Sequence, residues 1–337
     1  MKQIVCNAPD SLVMTEGETP TCGSGEAVVR IRRIGICGTD LHAYKGNQPF
    51  FSYPRILGHE LSGEIEALGE GSQSLRVGQR VSIIPYLACG QCVACSKGKT
   101  NCCMSMQVLG VHVDGGMRER IVVPVEQLLP ADDLSLDQAA MLEPLSIGAH
   151  AVRRSGLQAG DTALVIGAGP IGLGVMVMAR QRGARVIAMD LQADRLRFCQ
   201  SWAGAEATVI AGSEAADELI ELTGGAYPDV VFDATGHAGS MSKAFDYTSH
   251  GGTLVYVGLV KADISFHDPE FHKRELTLMG SRNATREDFD AVRQAMAGGH
   301  IDIDRYITHR AEFEQMIDAF EGWLSPESGV IKAVVEL

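Results

Sequence analysis

The sequence predicts an α/β protein written in two styles, and three stretches of it predict that class. Residues 1–147 carry short β-rich runs broken by Gly, Pro and Asp, among them EAVVRIRRIGI, LSGEIEALG, QRVSIIP and RERIVVPVEQLLP. From 148 to 280, apolar strands alternate with helical stretches: TALVIGA, PIGLGVMVMARQRG, ARVIAMD, ADRLRFCQSWAG, then the strands DVVFDATG, GGTLVYVGL and LTLMGS. Such alternation implies a doubly wound parallel sheet covered on both faces. Residues 281–337 hold two helical patterns, REDFDAVRQAMAGG and AEFEQMIDAFEGW, and a closing strand, GVIKAVVEL. This third stretch is short for a domain of its own and is expected to return to the first. The chain has 337 residues, 45% of them hydrophobic, which suffices for two sizeable cores.

Composition excludes several partners. Lys and Arg number 29 against 42 Asp and Glu, leaving a net charge of −13 that disfavours nucleic acid and anionic membranes. Residues 162–179 are uncharged and long enough to imitate a membrane span, but their glycines have a better explanation below. The N-terminal MKQIVCNAPD lacks the apolar core of a secretory signal, and nine is an odd number of cysteines, so a cytoplasmic protein with reduced thiols is expected. No repeat or low-complexity tract interrupts the pattern.

Five of those nine cysteines fall within CGQCVACSKGKTNCC, residues 89–103. In a reducing compartment clustered thiols are more often metal ligands than bridges. Cys89, Cys92, Cys95 and Cys103 stand at C-x2-C-x2-C-x7-C, compact enough to wrap four thiolates around a tetrahedral Zn2+ at about 2.3 Å each. An iron–sulfur cluster is the rival reading, although the ferredoxin run has a shorter last gap and a following Pro. Cys102 is an alternative fourth ligand to Cys103. Four sulfurs close the coordination sphere, so this cluster is expected to hold a loop in shape while the chemistry lies elsewhere.

In TALVIGAGPIGLG, Gly167, Gly169 and Gly172 form G-x-G-x-x-G directly after a strand and at the start of a helix that opens with Pro170 and Ile171. There the first Gly permits the turn, the second lets backbone approach a pyrophosphate and the third packs helix on strand. The free N–H groups of the helix N-terminus favour the same anion. Asp190 ends the next strand, where an acid accepts hydrogen bonds from the adenosine ribose and repels a 2′-phosphate, favouring NAD over NADP. Arg195, one turn into the following helix, argues in the other direction. Val257, Gly258, Leu259 and Ser281, at the ends of later strands, are expected to complete the coenzyme site.

The remaining candidates lie in ICGTDLH, LGHELSGE and LEPL. Taken singly, Cys37 reads as a buried small hydrophobe, His59 as a core histidine, and Glu60, Glu64 and Glu143 as surface charges. Taken together they supply the thiolate, imidazole and carboxylates of a catalytic zinc site, in which one position stays open.

These motifs carry a resemblance. GHELSGEIEALGEGS, with Gly58, His59, Glu60, Gly63 and Gly69, CGTDLH, the four-cysteine lobe and GAGPIG occur in the order found in the zinc-containing medium-chain alcohol dehydrogenase superfamily. Within it the chain resembles the polyol, threonine and sugar-acid branch. On GNQPFFSYPR, TNCC and DPEFHK it is most similar to the L-galactonate 5-dehydrogenase and starvation-sensing dehydrogenase group. The resemblance implies a GroES-like catalytic domain, a Rossmann coenzyme domain, two zinc ions per chain, NAD and a homo-oligomer, dimer or tetramer. It implies Cys37 and His59 as ligands of the catalytic zinc, with Glu60 and Glu143 sharing the other roles. Liver-type alcohol dehydrogenases have a cysteine at the position of Glu143, and this chain departs from them. Thr39 is implied as the group that touches the alcohol, with the coenzyme ribose hydroxyl and His42 relaying its proton to solvent, a task suited to an imidazole.

The implied reaction is oxidation of a secondary alcohol of a polyhydroxylated substrate, an aldonate resembling L-galactonate, to a ketone. A neutral polyol or a threonine-type substrate is the alternative, and a non-enzymatic NAD-binding sensor a remote one. Arg55, Arg118 and Arg282 are candidates to pair a substrate carboxylate, and Asn47, Gln48, His112 and Asn283 to read hydroxyls. A zinc-free quinone reductase on the same fold would lack the ligand set that this chain retains.

Overall fold

The β-rich style folds as antiparallel strands. A hairpin of β1 (Lys2–Ala8) and β2 (Ser11–Glu16), which the sequence patterns do not single out, precedes the eleven-residue β3 (Glu26–Ile36). Valine and isoleucine give β3 its strand preference. Helix α1 (Gly38–Tyr44) follows at once, then β4 (Arg55–Ile56), β5 (Glu60–Leu68), β6 (Arg80–Ile83), β7 (Tyr86–Leu87), β8 (Gln107–Val108), β9 (Arg120–Pro124) and β10 (Leu128–Pro130). Helices α2 (Leu136–Ala140) and α3 (Leu142–Ser155) end this part. The structure is a computed structural model that describes residues 1–48, 51–71 and 74–337; Pro49 and Phe50 of GNQPFFSYPR and Ser72 of GHELSGEIEALGEGS lie outside the described residues.

The alternating style folds as β11 (Thr162–Ile166), α4 (Pro170–Gln181), β12 (Arg185–Asp190), α5 (Ala193–Phe198), β13 (Ala207–Ile210), α6 (Ala215–Leu222), β14 (Val230–Asp233), α7 (Ala238–Lys243), β15 (Thr253–Tyr256), α8 (Asp268–Lys273), β16 (Thr277–Gly280) and α9 (Arg286–Ala297). The return consists of α10 (Ile303–Tyr306), β17 (Ile307–Glu312), α11 (Met316–Leu324) and β18 (Lys332–Glu336).

Two compact units result, one of residues 1–143 and 296–337, the other of residues 144–295. In the first, the main sheet runs β10-β6-β5-β3-β18-β17, with β9 also paired to β3. Ile4, Ile31, Ile34, Leu57, Leu61 and Ile83 build its core, and Phe313, Phe320 and Trp323 of the returning segment pack into it. The second unit holds a parallel sheet in the order β13-β12-β11-β14-β15-β16. Its strand order reverses between β11 and β14, where open α/β sheets form their ligand crevice at the carboxyl ends.

The unit changes fall at Glu143/Pro144 and Ala295/Met296, whereas the sequence reading drew them after 147 and 280. Helices α3 and α9 run through the changes, so no turn marks either place. Residues 281–295 stay with the parallel sheet because Asp288 on α9 is buried against α3. It pairs with His150 Nδ1 at 2.9 Å and with Arg153 Nε at 2.7 Å. Residues 162–179 divide into β11 and the first part of α4, and among the described residues no helix is long and apolar enough to cross a membrane.

Candidate active site and coenzyme site

Four sulfurs meet in the loop between β7 and β8. Cys89, Cys92, Cys95 and Cys103 bring their Sγ atoms within 4.8 Å of one another. Of the two candidates for fourth member, the structure brings in the buried Cys103 and leaves Cys102 exposed. Cys103 Sγ accepts the Cys89 N–H at 3.2 Å, and Cys92 Sγ accepts the Met104 N–H at 3.4 Å. Backbone N–H groups of Cys95 and Met104 pull the Cys92 thiol down to about 6, the direction that a thiolate ligand needs. A tetrahedral zinc fits this donor set.

A second donor cluster forms where β3 hands over to α1 and where β5 begins. Cys37, at the N-cap of α1, His59 and Glu60 place one ligand atom each within 4.8 Å of the others. Asp40 ties these segments together: its Oδ2 accepts the Cys37 N–H at 3.0 Å and its Oδ1 the Gly58 N–H at 3.2 Å. Gly35 stands opposite Glu60 in the β3–β5 register, and a Cβ there would lie 2.1 Å from Glu60 Oε2. Glycine at that position is what makes room for the carboxylate.

All four of Asp40, His59, Glu60 and Glu143 are buried, and His59 Nδ1 has no hydrogen-bond partner. Its nearest acceptor, Asp40 Oδ1, lies 3.6 Å away, beyond hydrogen-bonding range. Buried acids around an imidazole with an unpaired nitrogen form a site that a divalent cation satisfies, and the thiolate, imidazole and carboxylate set fits zinc.

The two carboxylates are held differently. Glu60 receives Lys332 Nζ on both oxygens, at 2.6 and 2.8 Å. Burial acts to lower the Lys332 pKa, but Glu60 beside it more than reverses this, so the amine stays an ammonium. Glu143, in the first turn of α3, accepts a hydrogen bond from the buried Tyr86 hydroxyl. Burial pushes its carboxyl up to about 7, with Glu60 adding to the shift and His59 opposing it.

Thr39 and His42 stand three residues apart on α1, Thr39 half-buried and His42 exposed. Arg55 is engaged by Asp114 Oδ1 at 3.3 Å and by Ser52 Oγ at 3.1 Å. Arg118 Nε is buried without a partner, and burial lowers the pKa of its guanidinium. Asp114 stands between these two arginines in charge, attracting both. Arg282 is exposed and belongs to the other unit. His112 Nδ1 already accepts the Val108 N–H at 3.1 Å.

In the parallel-sheet unit the coenzyme candidates gather at the carboxyl ends of the strands. Gly167 has φ +99, and a Cβ on Gly172 would lie 1.8 Å from the Gly167 oxygen, so two glycines are needed for the turn to close on its helix. Gly169 caps α4, whose first residues are Pro170 and Ile171. Asp190, at the end of β12, accepts the Ala168 N–H at 2.7 Å and the Gln192 N–H at 2.9 Å. Arg195 Nη1 reaches the Ala168 carbonyl at 3.5 Å. Val257 and Gly258 donate their N–H groups to the Asp233 carbonyl at 2.9 Å, Leu259 is exposed, and the Ser281 N–H reaches the Tyr256 carbonyl at 2.8 Å.

Known proteins share this arrangement from end to end. Residues 23–133 match the alcohol dehydrogenase GroES-like domain, and residues 170–298 match the zinc-binding dehydrogenase domain. The L-galactonate-5-dehydrogenase of Escherichia coli (strain K12) is 45% identical over 99% of this chain and 98% of its own. The chain belongs to the zinc-binding alcohol dehydrogenase family. The 2-dehydro-3-deoxy-L-galactonate 5-dehydrogenase of Pseudoalteromonas atlantica is 31% identical to this alcohol dehydrogenase over 97% of the chain and 96% of its own. The alcohol dehydrogenase rspB of E. coli CFT073, solved with cofactor NADH, superimposes with a TM-score of 0.93 at 33% identity, covering 100% of this chain and 99% of that one.

Sequence reasoning missed three groups around the dehydrogenase's donors: Asp40, Tyr86 and Lys332. Asp40 lies in CGTDLH, where an acid in the first helical turn is an ordinary cap. Lys332 is the lone charge in VIKAVV, which was a visible anomaly in an apolar strand. Nothing around Tyr86 marks it in the sequence.

Proposed function

We propose that this dehydrogenase oxidises a secondary alcohol of a sugar acid, an aldonate resembling L-galactonate, to the ketone, with NAD as acceptor and zinc at Cys37, His59 and Glu60. The observation that carries the metal reading is the meeting of Cys37, His59 and Glu60, one ligand atom each within 4.8 Å of the others, at a place where His59, Glu60 and the nearby Glu143 are all buried. Identity of 45% over nearly the whole chain to an L-galactonate dehydrogenase supports the substrate class. When bound, zinc supplies Lewis acidity toward the substrate hydroxyl, and NAD+ accepts the carbinol hydride.

The protein's part is placement and proton traffic. Asp40 fixes Cys37 relative to Gly58 and His59, and Gly35 leaves space for Glu60. Thr39 accepts the hydroxyl proton as it gives its own to the coenzyme ribose hydroxyl, and His42, one helical turn on and exposed, passes the proton to solvent. Asp190 orders the turn at Ala168 and keeps lone pairs for the adenosine ribose, which favours NAD over NADP. Cys89, Cys92, Cys95 and Cys103 hold a structural zinc. The free state of all nine cysteines supports a cytoplasmic setting. The edge strand β16, with Leu278 40% exposed, supports a homo-oligomer, dimer or tetramer, through the parallel sheet.

The deciding comparison is an aldonate against its alditol, followed by NADH absorbance, in the wild type and in Arg55→Ala, Arg118→Ala and Arg282→Ala. A kcat/KM about tenfold or more higher for the aldonate, reduced in one arginine variant, is the expected result. Equal values, or preference for the alditol, would leave a neutral polyol dehydrogenase.

A further inference from the structure

Lys332 is the only buried lysine among the described residues, at 2% exposure. The lysines in other ion pairs, Lys2, Lys45, Lys243 and Lys273, are at least 41% exposed, and water screens them. Lys332 Nζ uses its three protons on Glu60 Oε1, Glu60 Oε2 and the Ile36 carbonyl, the last at 3.1 Å. Ile36 directly precedes Cys37, and Ala333 pairs with Ile36 across β18 and β3. One ammonium therefore binds both ligand-bearing segments, and it does so in the dry interior where charge acts strongly.

We propose that Lys332 is a built-in cation of the Cys37, His59 and Glu60 site: it holds the donors in place before the metal arrives and keeps Glu60 a weak, exchangeable ligand. The proposal rests on reading that cluster as the catalytic zinc site. A fixed positive charge on both oxygens of Glu60 competes with zinc for the same lone pairs and repels the dication directly. Without metal, the same charge compensates a carboxylate that is otherwise buried and unpaired. Both effects favour the metal-free site relative to the loaded one. Glu143 has no such rival, as its partner Tyr86 is a neutral hydroxyl. Glu60 is therefore the ligand that yields when a coordination position must open.

The test is chelator-competition titration of zinc with wild type, Lys332→Met, Lys332→Gln and Lys332→Arg, with thermal melting of metal-free and loaded protein. The zinc equivalent that disappears in Cys37→Ser identifies the site. Removing the charge in the Met and Gln variants should tighten that equivalent by roughly tenfold or more and widen the melting gap between metal-free and loaded protein, whereas Arg should keep wild-type values. The Co2+-substituted Met variant should show weaker ligand-field bands than the wild type, as Glu60 joins the coordination sphere permanently. Unchanged or weaker zinc binding in Met and Gln overturns the role of Lys332. Failure of Met to fold even with zinc, while Gln folds with wild-type affinity, overturns it as well. A wild type that binds no metal at Cys37 refutes instead the underlying reading of the site.

Discussion

Replacing Gly172 by Ala tests the coenzyme turn with a single methyl group. The added Cβ would stand 1.8 Å from the Gly167 oxygen and 3.0 Å from its carbonyl carbon. Both atoms are backbone, so no side chain can swing aside, and the turn must move by more than an ångström to restore ordinary contact. Gly167 is held at φ +99, and the next residue, Ala168, is fixed by Asp190 at 2.7 Å, so the shift breaks that bond or tilts α4. Overpacking of this kind costs about 1–3 kcal/mol. If the bound coenzyme needs the undistorted turn, the same energy weakens NADH binding by roughly 5- to 150-fold. Fluorescence titration of NADH measures it, with zinc content and melting temperature as controls for global damage. An NADH Kd within twofold of the wild type, at unchanged stability, would refute the reasoning, because the turn would then be free to relax or not be the coenzyme's seat.

Further outcomes follow from the same geometry. Purified protein should carry two zinc ions. Cys37→Ser should lose one of them and all turnover while melting near the wild type, and Cys92→Ser should lose the other together with solubility or stability, as metal analysis and thermal melting would show. Asp190→Ala should weaken NAD and narrow the preference over NADP in kcat/KM; a wild type that prefers NADP would overturn the assignment and point to Arg195. Asp288→Asn should lower stability by about 2–3 kcal/mol at neutral pH, since it strips the buried partner of His150 and Arg153. Burial acts to raise the Asp288 pKa, but His150, Arg153 and Thr285 outweigh it and hold the carboxyl below its ordinary range. Its contribution is therefore present above the unfolded carboxylate pKa and is lost as pH falls through the lower folded value. The melting gap between Asp288→Asn and wild type should close in acid, and a gap constant from pH 7 to pH 3 would count against the ion pair.

Legibility of the sequence followed the range of the interactions. The cysteine lobe and the glycine turn were readable because spacing over a few residues determines each. The donors Cys37, His59 and Glu60 were readable as types, but their meeting depends on the β3–β5 register, which local pattern does not set. The partners of the carboxylates were not readable, since Tyr86 and Glu143 lie 57 residues apart and Glu60 and Lys332 lie 272 apart. The ends of the parallel-sheet unit were misplaced for a related reason: helices α3 and α9 continue through them, and only the buried Asp288 shows where α9 belongs. The arginine candidates rested on residue type alone.

The position of β18 between β3 and β17 gives biosynthesis a fixed order. A ribosome delivers Cys37, His59 and Glu60 early, yet the strand that neighbours β3 and carries the ammonium for Glu60 emerges 272 residues after Glu60. The four-sulfur loop, confined to residues 89–103, has no such wait and can capture its ion on a nascent chain. On the proposed assignment, zinc loading divides in time as well as in place: the four-sulfur loop can fill early, and the Cys37, His59 and Glu60 site gains its ammonium only after β18 has been made.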